Sequence, residues 1–229
     1  MPRAEVQSAV EVWLATPEAA DQLDPEQLSP ADRAAWAAIR TPRRRQDWAS
    51  SRALLAAAAP AAGLARSLSH SRGYAALAVA RGTASIGVDV EWLAPRDFVS
   101  LADLAFDPRE AAGLASLPDP ATTCASFYET WTLKEAFAKA LRLPLAAALR
   151  QCTRQFASGA DTLRLPTEQP WRAIVYAPRP ELRLALAVVG GDVTTATNRV
   201  RTMEWPPATV ANWPIVQQWR GTGRPARPC

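Results

Sequence analysis

Val10-Glu-Val-Trp-Leu14 alternates with a period of two, which places its valines and leucine on one face and predicts an opening β-strand. Asp- and Pro-rich turns follow from Pro17 to Pro25. Ser29-Pro30 predicts a helix start: the serine hydroxyl can accept from the first free backbone N–H groups, and proline lacks only a donor that the first turn does not need. A second helix is expected over Arg44 to Ala59, with Trp48, Leu54 and Leu55 turned to a core and Pro60 as its stop. Tyr74 to Ala80 and Ser85 to Glu91 read as two strands joined around Arg81-Gly82-Thr83, where Gly82 permits a tight turn. Helices are predicted over Val99 to Ala105, Pro108 to Leu114 and Ala125 to Leu141. Two more strands, Trp171 to Ala177 and Leu182 to Val189, form a hairpin around Pro178-Arg-Pro180.

Helices followed by a strand pair thus occur in each half, with a divide near residue 85 that suggests a structural duplication. The expected division is 1–85, 86–190 and a C-terminal extension, 191–229. The extension shifts to Thr, Pro, Trp and Arg, and its last residues, Gly221 to Cys229, are expected to be disordered. Trp205, Trp213 and Trp219 are too apolar for a free tail and should pack back on the body.

With 229 residues, 48% of them hydrophobic, the chain can bury one large core or two small packed ones. Its formal charge of +4 suits an anionic ligand or an acidic partner, and is too small to demand nucleic acid. Three cysteines without Cys-x-x-Cys spacing argue against a disulfide framework and a zinc cluster, so a reducing cytoplasm is expected. The N-terminus lacks an apolar signal stretch, and Pro60 and Gly63 interrupt the alanine-rich run Ala53 to Ala65, so no membrane span is expected.

The residues able to do chemistry fall in short patches. Asp89 and Glu91, two apart on a strand, point to one face and can offer oxygen ligands to a hard cation such as magnesium. An isolated Asp-x-Glu is ordinarily two solvated acids on a strand edge. Glu135 and Lys139, four apart, share a helix face, where such a pair is commonly a surface ion pair. Lysine occurs only at Lys134 and Lys139, every other basic residue except His70 being arginine, and a compact ammonium suits a phosphate oxygen whose charge changes during reaction. The lone histidine, His70, stands between Ser69 and Ser71 just before a strand, where its ring and the Ser69 hydroxyl can donate to phosphate. Arg40, Arg43, Arg44, Arg45 and Arg52 cluster around a helix start and can hold a terminal phosphate or simply face solvent. Neither a Gly-x-Ser-x-Gly elbow nor a glycine-rich phosphate loop occurs.

Taken in order, Ser69-His-Ser71, Ile86-Gly-Val-Asp-Val-Glu91 and Phe127-Tyr-Glu-Thr-Trp-Thr-Leu-Lys-Glu-Ala-Phe-Ala-Lys139 resemble the three motifs of the Sfp-type 4′-phosphopantetheinyl transferases. The similarity extends more weakly to Leu28-Ser-Pro30 and Arg43 to Leu55. It implies an α/β (α+β) fold of two similar halves related by a pseudo-twofold, binding coenzyme A and Mg2+ in the cleft between them. By this resemblance Asp89, Glu91 and Glu135 ligate the metal. Ser69, His70, Lys134 and Lys139 contact phosphates, and Arg43 and Arg45 approach the 3′-phosphate. The implied reaction moves phosphopantetheine onto a serine of an acidic carrier protein, with Glu135 and Lys139 as catalytic groups and Glu135 open between ligand and base. A monomer without nucleic acid is expected. The chain departs from the family in the short, lysine-free stretch Ala56 to Leu68, which keeps open a silent coenzyme A- or carrier-binding protein of the same fold.

Overall fold

The computed structural model describes residues 10–60, 63–82, 84–156, 161–191, 193 and 200–222. The first sheet is built from β1 (Val10–Ala15), β2 (Ala65–Ser71) and β3 (Tyr74–Ala80), with β9 (Val200–Trp205) and β10 (Thr209–Ala211) beyond β1. The second contains β4 (Ser85–Trp92), β7 (Trp171–Tyr176), β8 (Leu182–Val189) and β11 (Ile215–Gly221). A small hairpin, β5 (Thr153–Gln155) with β6 (Thr162–Arg164), stands apart. The expected mixed α/β class is what the chain adopts.

The same connectivity appears twice. β1 leads through α1 (Pro30–Ala38) and α2 (Pro42–Ala58) into the hairpin β2–β3, giving the order β1-β3-β2. β4 leads through α3 (Phe98–Ala105), α4 (Pro108–Ala115), α5 (Pro120–Leu141) and α6 (Leu145–Gln151) toward the hairpin β7–β8, giving β4-β8-β7.

Strand alternation assembles four layers. On β3, Ala76, Ala78 and Ala80 join a core that also holds Val12 of β1, Val88 and Val90 of β4, and Leu184 and Leu186 of β8. The opposite face of β3, Ala75, Leu77 and Val79, packs with Leu54 of α2. Likewise Ala185 and Ala187 of β8 meet Leu133 and Phe137 of α5. Both sheets are therefore covered on both faces, and burying each large aliphatic side chain contributes roughly 1.5–3 kcal/mol.

Two expectations are corrected. β3 and β4 do not form a hairpin around Gly82: β3 pairs with β1 and β2, whereas β4 pairs with β8 in the other sheet. The true partner, β2, turns into β3 at Arg72-Gly73, both with positive φ (50 and 85), the geometry a two-residue hairpin needs. The Gly73 N–H donates to buried Asp47 of α2, which ties the turn to the helix. His70 accordingly lies within a strand, not before one.

The C-terminal segment is more ordered than expected. β9 runs parallel to β1, and β11 pairs with β7, so the chain covers an edge of each sheet. Trp213 and Trp219 are buried and Trp205 is half-buried. Gly221, expected to begin a disordered end, closes β11 in pairing with Trp171, and the rest of that expectation, from residue 223 to 229, lies outside those described.

α5 approaches β4 so closely that a Cβ on Gly87 would sit 1.8 Å from the Ala136 carbonyl oxygen. Gly87→Ala is expected to cost about 1–3 kcal/mol or more, because backbone cannot yield as a side-chain tip does. Denaturant unfolding checks this, and a midpoint equal to wild type contradicts it.

Candidate active site

The centre of the molecule is built where α5 crosses β4. Asp119 caps α5, accepting from Ala121 and Thr122 N–H groups, and Pro120 occupies its first turn. Gly87 admits the helix, and Glu135 and Lys139, one turn apart, come to the side of β4 that carries Asp89 and Glu91. Carboxylate oxygens of Asp89, Glu91 and Glu135 all lie within 4.8 Å of one another. Lys139 Nζ donates to the Val88 carbonyl at 2.8 Å and to Asp89 Oδ1 at 2.9 Å.

This arrangement is electrostatically incomplete. Burial, then the charges of Asp89 and Glu91, push the Glu135 carboxyl up to about 7, against the nearby Lys139 ammonium. Burial also raises Glu91, although the hydrogen bond from Ser71 opposes it. Asp89 is 2% exposed, and its Oδ2 has no hydrogen-bond partner. A buried, orphaned carboxylate oxygen on a residue clustered with two more carboxylates fits a divalent cation with hard oxygen ligands, so the residues present suit magnesium.

β2 supplies the other wall. Its alternate residues Ser67, Ser69 and Ser71 are buried, and their hydroxyls reach β4. Ser69 Oγ donates to Asp89 Oδ1 at 2.6 Å, so Ser69 meets a carboxylate where a phosphate was expected. His70, on the opposite face, is exposed and lines a cleft of about 460 Å³ with Arg40, Thr41, Arg44 and Trp48.

Three residues expected at phosphate lie away from the cleft beside His70. Lys134 is fully buried, and its ammonium is taken by Glu110 and the Leu149 carbonyl, so it pins α5 to α4 and α6. Arg45 Nε donates to the Ile39 carbonyl at 2.9 Å while its guanidinium lies over Trp36, and exposed Arg43 does not line the cleft. Arg40 and Arg44 are the arginines placed beside His70. Sequence reasoning placed them in the basic cluster without assigning them; Arg40 lies in the connection between α1 and α2, and Arg44 in the first turn of α2. It also missed the Ser67-x-Ser69-x-Ser71 alternation, a visible signal that one strand face is hydroxyl-lined.

Residues 85–187 match the model of the 4′-phosphopantetheinyl transferase superfamily, a stretch that runs from β4 into β8 and holds all three clustered carboxylates and Lys139. The resemblance seen in the motifs therefore stands over that stretch. The chain is also similar to the 4′-phosphopantetheinyl transferase HetI of Nostoc sp. (strain PCC 7120), with 36% identity over 129 residues. The alignment covers 56% of this chain and 53% of HetI, so the chain spans about half the length of that relative. Among the described residues no helix is long and apolar enough to cross a membrane.

Because the folded state holds the Glu135 proton above the ordinary carboxylate range, it binds more protons than the unfolded chain between pH 4.5 and about 7. In chelator the protein is therefore expected to lose stability as pH rises through that window. Adding magnesium is expected to restore it most at the upper end, where the carboxylates are ionised. Thermal melts across pH, with and without the cation, check the sign; a flat profile contradicts it.

Proposed function

We propose that this protein transfers the 4′-phosphopantetheine group of coenzyme A to a serine hydroxyl of an acyl, peptidyl or polyketide carrier protein. The observation that carries this reading is the convergence of Asp89, Glu91 and Glu135, from β4 and α5, within 4.8 Å, together with the unpartnered Oδ2 of buried Asp89. Such a triad suits a diphosphate substrate only when a cation lies between them. Asp89, Glu91 and Glu135 would hold magnesium, which when bound supplies charge neutralisation at the diphosphate of coenzyme A.

The remaining chemistry falls to the chain. The serine oxygen attacks the phosphorus that carries pantetheine, the diphosphate P–O bond breaks, and its electron pair leaves with adenosine 3′,5′-bisphosphate. Lys139 uses two of its three N–H groups on Val88 and Asp89, which leaves the third for a phosphate oxygen. The hydroxyl proton goes to Glu135, whose carboxylate, held near 7 by burial, is a stronger base at neutral pH than an exposed one. Metal ligation lowers that basicity, so ligand and base compete as descriptions of the same side chain. His70, Arg40 and Arg44 form a cationic recess suited to the 3′-phosphate. In this reading residues 1–85 and 86–190 are the two halves of the fold, the first supplying the recess and the second the carboxylates. The net charge of +4 suits an acidic carrier.

The test is mass spectrometry of apo carrier proteins incubated with the protein, magnesium and coenzyme A, with a gain of one phosphopantetheine as the expected result. Asp89→Ala and Glu135→Gln are each expected to lower kcat by ~10²–10⁴ with circular dichroism unchanged. Wild-type rates in both variants overturn the site. Bound coenzyme A with no mass gain on any carrier contradicts transfer and leaves the fold as a binding protein.

A further inference from the structure

The seam between β2 and β4 has an unusual construction. Among the described residues no backbone ladder joins these two strands, which belong to different sheets. Side-chain hydroxyls bridge them instead. Ser67 Oγ accepts from the Val88 N–H at 3.0 Å, and Ser71 Oγ accepts from the Trp92 N–H at 3.3 Å, so a four-residue step on one strand matches a four-residue step on the other. Ser69 Oγ donates to Asp89 Oδ1 at 2.6 Å, and Ser71 Oγ donates to Glu91 Oε2 at 2.7 Å.

These rungs are not equivalent. The Ser67 hydroxyl bonds to backbone and serves the seam. Ser69 and Ser71 each engage one oxygen of a carboxylate in the cluster, with O···O separations short enough for charge-assisted bonds. All three serines are nine-tenths buried, so water competes little for these bonds. Asp89 shows the consequence most clearly: Oδ1 is occupied by Ser69 and Lys139, while Oδ2 has no partner. An oxygen fixed by two donors sets the rotation of the carboxylate and thereby directs the other oxygen.

We infer that Ser69 and Ser71 are positioning residues, which orient Asp89 and Glu91 from the neighbouring sheet so that the two acids present a preformed pair of oxygens to a divalent cation. The inference rests on the cation site proposed above. It assigns the β2 serines to the carboxylates and leaves phosphate binding to the opposite face of the strand, where His70 lies. Because the donors come from the first sheet and the ligands from the second, the cation site also reports how those sheets are seated. Loss of an orienting partner of a ligating side chain typically weakens metal affinity by ~10–100-fold.

Calorimetric titration of Mg2+ and Mn2+ into the full chain, without substrate, tests this alongside thermal melts. Ser69→Ala and Ser71→Ala are each expected to weaken cation binding by ~10–100-fold at temperatures where the protein is fully folded. Ser71→Thr keeps the hydroxyl and should recover most of the affinity. Ser67→Ala should lower Tm while leaving cation affinity at wild type, a separation that a purely structural seam does not produce. Wild-type affinity in Ser69→Ala and Ser71→Ala overturns the inference alone, as does a loss in Ser67→Ala equal to theirs. No cation binding by the wild-type chain overturns both this inference and the site reading on which it rests.

Discussion

Mutual repulsion among three carboxylates is the constraint around which the molecule is organised. Asp89, Glu91 and Glu135 come within 4.8 Å of one another although burial already disfavours the charges of Glu91 and Glu135. Free side chains would move apart. They are held by the packing of α5 on β4, which Gly87 permits by having no Cβ, and by Lys134, whose buried ion pair with Glu110 fixes the far side of the helix. Breaking such a pair from one side costs about 3–5 kcal/mol, so the orientation of α5 is stiffly determined. Packing energy thus maintains a charge arrangement that a cation can relieve.

The architecture serves the same end. Two sheets of equal connectivity share one core, and β4 at the edge of the second lies against β2 at the edge of the first. The carboxylates stand at this join. On the other face of β2, His70 meets Arg40 and Arg44 at the start of α2. One strand therefore separates an acidic face, with Asp89 and Glu91 of β4 beside it, from a basic one. The C-terminal strands β9 and β11 extend opposite sheets and brace them together. Trp213 contributes by donating to Glu204, whose carboxylate also pairs with Arg179.

Much of this was legible in the sequence, for reasons specific to each element. β1, β7 and β8 show apolar patterning, and Ser29-Pro30 marks α1 in the structure as in the sequence. The start of α5 was read five residues late, although Asp119-Pro120 carries the signals of a helix cap. β2 was missed because Arg66-Ser-Leu-Ser-His-Ser71 is polar: its buried face is lined by hydroxyls that bridge to β4, so no apolar periodicity remains to be seen. The apparent β3–β4 hairpin failed because two apolar runs around Gly82 look local, whereas their partners are distant in sequence. Asp89, Glu91, Glu135 and Lys139 were found because period-two and i, i+4 spacings survive folding unchanged. Lys134 was misplaced by its company, since positions five apart on a helix differ by about 140° and cannot share a face with Lys139. Which arginines stand beside His70 depends on how α2 meets β2, which no local pattern encodes.

Anomalous diffraction from crystals soaked in manganese tests the central claim most directly, since it locates the cation without relying on turnover. The account predicts one strong peak between β4 and α5, with an oxygen of each of Asp89, Glu91 and Glu135 at roughly 2 Å. A peak elsewhere, or none, with the three carboxylates turned away from one another, contradicts it.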